Sequence, residues 1–135
     1  MRKWYVYLGI MAIVLLSAAC SAGKEDRGKL RDIDYTVMAP EDVPQELLAE
    51  LEKEQEKPCR LTYADNGYLY IAQGYGKKDT SGYSVQVEEC YESEDAVCFQ
   101  TSLMGPDRKE EIIEEDTYPY IVVKIEYTDK NVVFY

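Results

Sequence analysis

The sequence predicts a small α+β protein that is mainly β: an antiparallel sheet or sandwich of five to six strands, covered by one N-terminal helix. From Arg60 onward, apolar residues recur at every second position, which is the period of a strand with one buried face. Asn66-Gly67 stands between two of these runs, and this pair is a strong signal for a hairpin turn. Only one earlier segment has the helical period instead.

That helix is predicted to begin at Asp42, where Gln45 follows at the spacing of a capping box. It is predicted to end near Glu56, because Pro58 cannot continue it. Its apolar positions form one stripe, which we expect to pack on the sheet of the same domain rather than on a partner. The stripe consists of Val43, Leu47, Leu48 and Leu51.

Up to six strands are predicted, at residues 60–63, 68–73, 83–91, 97–104, 118–127 and 132–134, and residues 35–38 are a candidate for a further short strand. In the central hairpin, one register keeps the apolar residues on a common face, because it sets Val85 opposite Leu103 and Val87 opposite Thr101. The same register sets Cys90 opposite Cys98.

A disulfide between Cys90 and Cys98 is therefore predicted, with Cys59 left free. Two free thiols are the alternative if the host lacks oxidising machinery. A zinc site is not expected, because the spacing lacks short ligand pairs and the chain has no histidine.

The N-terminus predicts export. Residues 1–19 combine a basic start, an apolar run and the small residues Ser17-Ala18-Ala19, which together are typical of a signal peptide. Cys20 follows directly, and the segment resembles the lipobox of bacterial lipoproteins. This resemblance implies that Cys20 is acylated, for example with palmitate, and anchors the protein in the cell membrane, facing outside the cytoplasm. An ordinary secreted protein with an incidental cysteine is the alternative.

Residues 20–34 are polar and poor in apolar side chains, so we expect a flexible tether, followed by a globular domain over residues 35–135. Removal of the signal would also remove Arg2 and Lys3 but no acidic residue, so the net charge would fall from −11 to −13.

The composition excludes several kinds of chemistry. The chain has 26 acidic and 15 basic residues and no histidine. A Ser–His–Asp triad, a Cys–His dyad and a histidine metal ligand are therefore impossible within this chain. Its acidic surface argues against nucleic acid as a partner, because phosphate would be repelled. We expect no metal and no cofactor, and we do not expect an enzyme.

Two loops are predicted to contact a partner. Residues 74–82 are rich in glycine but lack the Gly-Lys-Ser/Thr ending of a phosphate-binding loop, and a strand follows them instead of a helix. Tyr75 stands between two glycines there and is expected to be exposed for contact. The remaining partner-binding residues predicted in this region are Thr80, Ser81, Gly82 and Tyr83.

The second loop is strongly acidic and surrounds the apolar pair Ile112 and Ile113. Its carboxylates are expected to be solvated; acid–base catalysis or calcium binding would be the alternative, although EF-hand spacing is absent. An exposed apolar pair with an acidic rim is expected to contact a partner.

Three segments carry a resemblance to a known family. They are GYSV at 82–85, TSLMGP at 101–106 and TYPYIVVKI at 117–125. They resemble the C-terminal domain of the PrcB family of protease complex subunits, and the similarity extends over residues 59–135. The chain has DTSGY at 79–83, where family members often have PTGGY. The resemblance implies a surface lipoprotein that associates with an exported protease and stabilises it, without catalytic residues of its own.

The function expected from the sequence is therefore a membrane-anchored, non-catalytic binding module. The first alternative is a protease inhibitor that inserts loop 74–82 into an active-site cleft; this loop is weakly similar to the wedge loop of chagasin-like inhibitors. The second alternative is a hydrolase that uses the carboxylates of the acidic loop.

Overall fold

The computed structural model describes residues 28–135, and the predicted signal peptide, Cys20 and most of the predicted tether lie outside the described residues. The described chain is mostly strand, so the predicted fold class, α+β and mainly β, is confirmed. It has eight strands within residues 28–135, more than the five to six predicted. The strands are β1 (Lys29–Asp32), β2 (Thr36–Val37), β3 (Pro58–Asp65), β4 (Tyr68–Tyr75), β5 (Ser84–Ser93), β6 (Ala96–Met104), β7 (Tyr120–Glu126) and β8 (Asn131–Phe134).

The strands form two four-stranded sheets. The first has the order β1-β5-β6-β8 and the second the order β2-β7-β4-β3. Every pair is antiparallel except β6 and β8, which run parallel. The two sheets pack face to face, because one buried cluster takes Phe99 and Val97 from the first sheet and Ile71 and Val123 from the second. The architecture is therefore a β-sandwich.

One helix, α1 (Gln45–Glu54), occurs in the described part of the chain. Its Leu47 and Leu51 share a second buried cluster with Ala72 and Val122, on the face of the second sheet that points away from the sandwich core. The predicted capping box is wrong. Asp42 belongs to a 3-10 turn, Pro40–Asp42, and the helix begins only after Pro44, without a side-chain cap. Within residues 28–135, no helix is long and apolar enough to cross a membrane.

The β3–β4 hairpin turns at Asn66 and Gly67, as predicted. Asp65 pairs with Tyr68, so Asn66 and Gly67 alone form the turn. Both have positive φ, 52° for Asn66 and 84° for Gly67. Asparagine and glycine tolerate this conformation better than other residues, which explains why this dipeptide stands between the strands.

The start of the folded region was not predicted. Residues 29–32 lie in the expected tether but form β1, which pairs with the end of β5 through the backbone. One ion pair reinforces this edge, since Arg31 Nε lies 2.8 Å from a carboxylate oxygen of Glu92, and a second lies within β1, where Lys29 Nζ is 2.7 Å from Asp32. The segment is held by backbone pairing and charge, so its lack of apolar periodicity hid it.

The predicted register of the β5–β6 hairpin is correct only in its first half. Val85 pairs with Leu103 and Val87 with Thr101, but a bulge at Glu88 then shifts the pairing by one residue. Beyond the bulge, Tyr91 pairs with Cys98.

The predicted Cys90–Cys98 disulfide is therefore wrong in this structure. Cys90 points into the core between the sheets, and Cys98 belongs to a cluster on the other face of its sheet. Both are buried free thiols, and Cys59 is a half-buried free thiol. Burial raises the pKa of Cys90 to about 11 and also raises the pKa of Cys59.

We expect Cys59 to be the first of these three thiols to react with iodoacetamide at pH 8. Cys90 and Cys98 are shielded in the folded protein and should react only after unfolding. Mass spectrometry of peptides from protein alkylated before and after addition of guanidinium would measure this order. A peptide that contains Cys90 crosslinked to Cys98 in unreduced protein would contradict the structure.

Candidate functional site

Two long loops leave the same end of the sandwich and are joined along their length. Residues 76–83 connect β4 to β5, and residues 105–119 connect β6 to β7; together we call them the loop pair. Lys78 and Thr117 exchange two backbone hydrogen bonds of 2.8 and 2.9 Å. The hydroxyl of Thr117 also donates to the carbonyl of Thr80 at 2.7 Å. The two loops are therefore hydrogen-bonded to each other and form one connected structure.

A second set of bonds lies nearer the tip of the loop pair. The backbone N–H of Ser81 donates to the carbonyl of Ile113 at 2.9 Å. In return, the backbone N–H of Ile113 donates to the Ser81 hydroxyl, also at 2.9 Å. This reciprocal pair fixes the backbone of Ile113, so the acidic loop presents its side chains from a defined position.

Gly82 closes the base of the loop pair. Its φ is +94°, and a Cβ placed on it would lie 2.8 Å from the Cβ of Pro106. Only glycine meets both conditions without strain. The close approach of Gly82 to Pro106 thus sets the distance between the two loops.

The apolar pair of the acidic loop is exposed. Ile112 and Ile113 show 51% and 59% of their surface to solvent. Ile113 is the residue whose backbone is bonded to Ser81, so its exposed side chain stands on a fixed main chain. An exposed isoleucine pair on an ordered loop is a contact surface available without rearrangement.

The surrounding carboxylates are also exposed. The acidic residues of the loop that face solvent are Asp107, Glu110, Glu111, Glu114, Glu115 and Asp116. Two of them support their own loop: Asp107 Oδ1 accepts from the N–H of Lys109, and Glu110 Oε1 accepts from the N–H of Asp107. Within residues 28–135, no group of three or more cysteine, aspartate or glutamate side chains is placed to hold a metal ion.

The side chain of Tyr75 belongs to a polar cluster in the sandwich. Its hydroxyl lies 2.6 Å from Thr101 Oγ1, and Thr101 donates onward to Gln73 Oε1 at 3.0 Å. Gln73 and Thr101 are buried, and a buried polar group without a hydrogen bond lowers stability. The Tyr75 hydroxyl provides a hydrogen-bond partner for the Thr101 hydroxyl. Tyr75 is therefore half-buried and connects the two sheets through its hydroxyl.

The remaining predicted contact residues lie within the loop pair. Thr80, Ser81, Gly82 and Tyr83 are half-buried, and the first three are bonded to or packed against the acidic loop. Tyr83 has the Lys78 ammonium 6.0 Å from its ring centroid. The structure thus brings residues 80–83 and the isoleucine pair together, whereas the half-buried Tyr75 has its hydroxyl in the polar cluster between the sheets.

Sequence reasoning missed the residues that hold the loop pair together, namely Thr117, Pro106 and Lys78. Their contacts join positions far apart in the chain, and no local pattern indicates them. Gln73 carried a usable signal, because a single amide within an apolar strand indicates a buried polar contact.

Replacement of Gly82 by alanine is expected to loosen the loop pair. The positive φ and the overlap with Pro106 should lower the free energy of unfolding by about 1–3 kcal/mol. Thermal and urea denaturation would measure the loss.

Gly105→Ala is the matched control, since its nearest neighbour would be Tyr83 Cε1 at an ordinary 3.8 Å. That variant should stay within about 0.5 kcal/mol of the original protein. Equal stability of the two variants would contradict the role assigned to Gly82.

In a comparison with protein families, residues 69–126 match the family model described as PrcB C-terminal. The match runs from β4 to the end of β7 and includes the whole loop pair. A search of curated proteins returned no match. A search of solved structures returned no match either. The resemblance to the PrcB family predicted from the sequence is therefore confirmed over residues 69–126.

Proposed function

We propose that this protein is a membrane-anchored extracytoplasmic lipoprotein that serves as a non-catalytic binding module in a protease complex. In this role it associates with an exported protease and stabilises it. The PrcB C-terminal match supports a role connected with a protease complex. The observation that carries the binding role is the exposed Ile112–Ile113 pair on a loop fixed by hydrogen bonds.

The rigidity of the loop pair favours binding. A flexible loop loses conformational entropy when a partner fixes it, and this loss weakens the complex. The bonds between Ser81 and Ile113 and between Thr80 and Thr117 impose that rigidity already in the free protein. The isoleucine pair would supply the apolar centre of the contact, and the carboxylates would form its charged rim.

The charge of that rim specifies the partner surface. Glu110, Glu111, Glu114 and Glu115 are exposed around the isoleucine pair. A complementary surface on the protease would have an apolar depression bordered by lysine or arginine. Such complementarity would speed association and exclude acidic competitors.

The two alternatives receive less support from the geometry. An inhibitory wedge needs a protruding loop, whereas Thr80, Ser81 and Gly82 are half-buried against the acidic loop. A carboxylate hydrolase needs paired carboxyl groups in a cleft with distinct environments. The carboxylates of the acidic loop are exposed on a surface instead.

The binding role is tested by co-purification from native membranes of the host. The protein is solubilised with mild detergent and captured, and bound peptidase is assayed and identified by mass spectrometry. Ile112→Ser combined with Ile113→Ser should reduce the recovered peptidase at least about tenfold, because apolar anchors dominate binding energy. Deletion of the gene should lower the amount of that peptidase in the membrane.

Leu30→Ser is the matched control, because Leu30 is an exposed leucine on β1, away from the loop pair. It should leave recovery unchanged. A rise in peptidase activity on deletion would favour inhibition, and recovery of no peptidase at all would contradict both roles.

The anchor is tested separately by metabolic labelling with palmitate. We expect the original protein to take up the label and to sediment with membranes. Cys20→Ser should abolish both properties, because the thiol that would carry the acyl chain is gone. Cys59→Ser is the control and should remain labelled. Equal labelling of the Cys20→Ser variant would contradict lipid anchoring at this residue.

A further inference from the structure

One side of the sandwich is only half closed by the N-terminal segment. β1 pairs with β5 at Tyr91, Glu92 and Ser93, and the last backbone bond on this side runs from Ile33 N–H to the Cys90 carbonyl at 3.0 Å. No other described strand pairs with this side of β5. Residues 84–89 of β5 therefore present a free strand edge.

The second sheet ends in the same way on this side. β2 pairs with β7 only at Val123 and Lys124, and the last bond joins Met38 N–H to the Val122 carbonyl at 2.8 Å. The chain then turns away at Pro40. The N-terminal segment thus crosses from one sheet to the other and leaves the half nearer the loop pair open.

A groove of about 310 Å³ lies between these two edges. Apolar side chains from both sheets line it, among them Val37, Met38, Val85 and Ile121. Val37 shows 54% of its surface to solvent, so part of this apolar lining is accessible. The free edge of β5 therefore borders an apolar groove on its inner side.

The outer face of the same edge is anionic. The bulge places Glu88 and Glu89 next to each other on this face, and both are exposed. Glu88 accepts hydrogen bonds from the Ser102 hydroxyl at 2.6 Å and from the Gln86 amide at 2.9 Å. These bonds lower the pKa of Glu88, which keeps its carboxylate ionised.

We propose that the free edge at 84–89 binds an extended segment of a partner protein in which apolar residues alternate with lysine or arginine. The partner segment would add a strand to the first sheet through main-chain hydrogen bonds. Its alternate side chains would point to opposite faces, apolar ones into the groove and cationic ones toward Glu88 and Glu89. This site is distinct from the Ile112–Ile113 surface and does not depend on it.

Charge selects this occupant over a second copy of the chain. Pairing of two such edges would bring Glu88 and Glu89 of both copies together. The net charge of each copy, −11, adds to that repulsion. Charged residues at edges hinder nonspecific strand pairing, so a segment that pairs here must bring the complementary positive charge.

The probe is a short synthetic peptide in which valine alternates with lysine, with a fluorescent label for anisotropy. It is titrated into the full-length protein in detergent, and hydrogen–deuterium exchange with mass spectrometry locates the contact. We expect binding together with slower exchange at residues 84–89. A peptide in which valine alternates with glutamate should bind at least about tenfold more weakly.

Two variants test the two faces of the edge. Val37→Lys places a cation at the groove, and Glu88→Lys reverses the charge on the outer face; each should weaken binding of the valine–lysine peptide at least about tenfold. Val133→Lys is the matched control, because Val133 lies on β8, in the same sheet as β5 but away from its free edge. This variant should bind the peptide as the original protein does. Circular dichroism and thermal denaturation of each variant confirm that it is folded.

Three outcomes would overturn the proposal. Equal binding of the lysine and glutamate peptides would remove the charge selection. Slower exchange at Pro58–Asp65, the edge strand of the other sheet, with no change at 84–89, would place the contact elsewhere. Unchanged binding by folded Val37→Lys and Glu88→Lys variants would show that neither face contributes.

Discussion

The pairing of β4 with β7 is the constraint on which the rest of the molecule depends. These two strands occupy the middle of the second sheet, and both of their faces are buried. Ile71 and Val123 point into the sandwich, while Ala72 and Val122 meet the helix, and all four are almost inaccessible to solvent. The first sheet and the helix thus pack on opposite faces of the same two strands. Loss of this pairing would separate both layers.

The same two strands also determine where the loop pair forms. β4 ends and β7 begins at one end of the sandwich, since Gly74 pairs with Tyr120. The loops that leave there are held together by Thr117 and Ser81 and by the close approach of Gly82 to Pro106. The loop pair that carries Ile112 and Ile113 is thus anchored at its base by core strands and held together by its own contacts. The open strand edge at 84–89 begins directly after this loop pair, so the two proposed contact regions adjoin.

The sequence predicted the fold as far as local patterns determine it. Alternation located the longer strands, and Asn66-Gly67 identified the hairpin turn. The bulge at Glu88 was missed, although regular alternation after Val85 and Val87 would place the charged Glu89 on the apolar face, which indicates an interruption of the strand. This single insertion reversed the orientation of Cys90 relative to Cys98 and removed the predicted disulfide. The pairing of β1 was hidden for another reason: backbone bonds and ion pairs hold it, and neither produces an apolar period. The contacts between the loops join residues more than twenty positions apart, such as Gly82 and Pro106 or Ser81 and Ile113, and depend on the finished fold.

The position of β1 has a consequence for orientation at a membrane. Lys29 pairs with Ser93, at the end of β5 opposite to Ser84 and the loop pair. A lipid on Cys20 would be separated from Lys29 by only eight residues, whose greatest reach is about 28 Å. The ten residues of β5 span about 33 Å between the two ends of the sandwich. Such a short tether would keep the Lys29 end of the sandwich near the bilayer, with the isoleucine pair at the opposite end. A protease docked on the isoleucine pair would be held near the bilayer by the lipid anchor of this protein. Its effective concentration at the membrane would therefore rise without an anchor of its own.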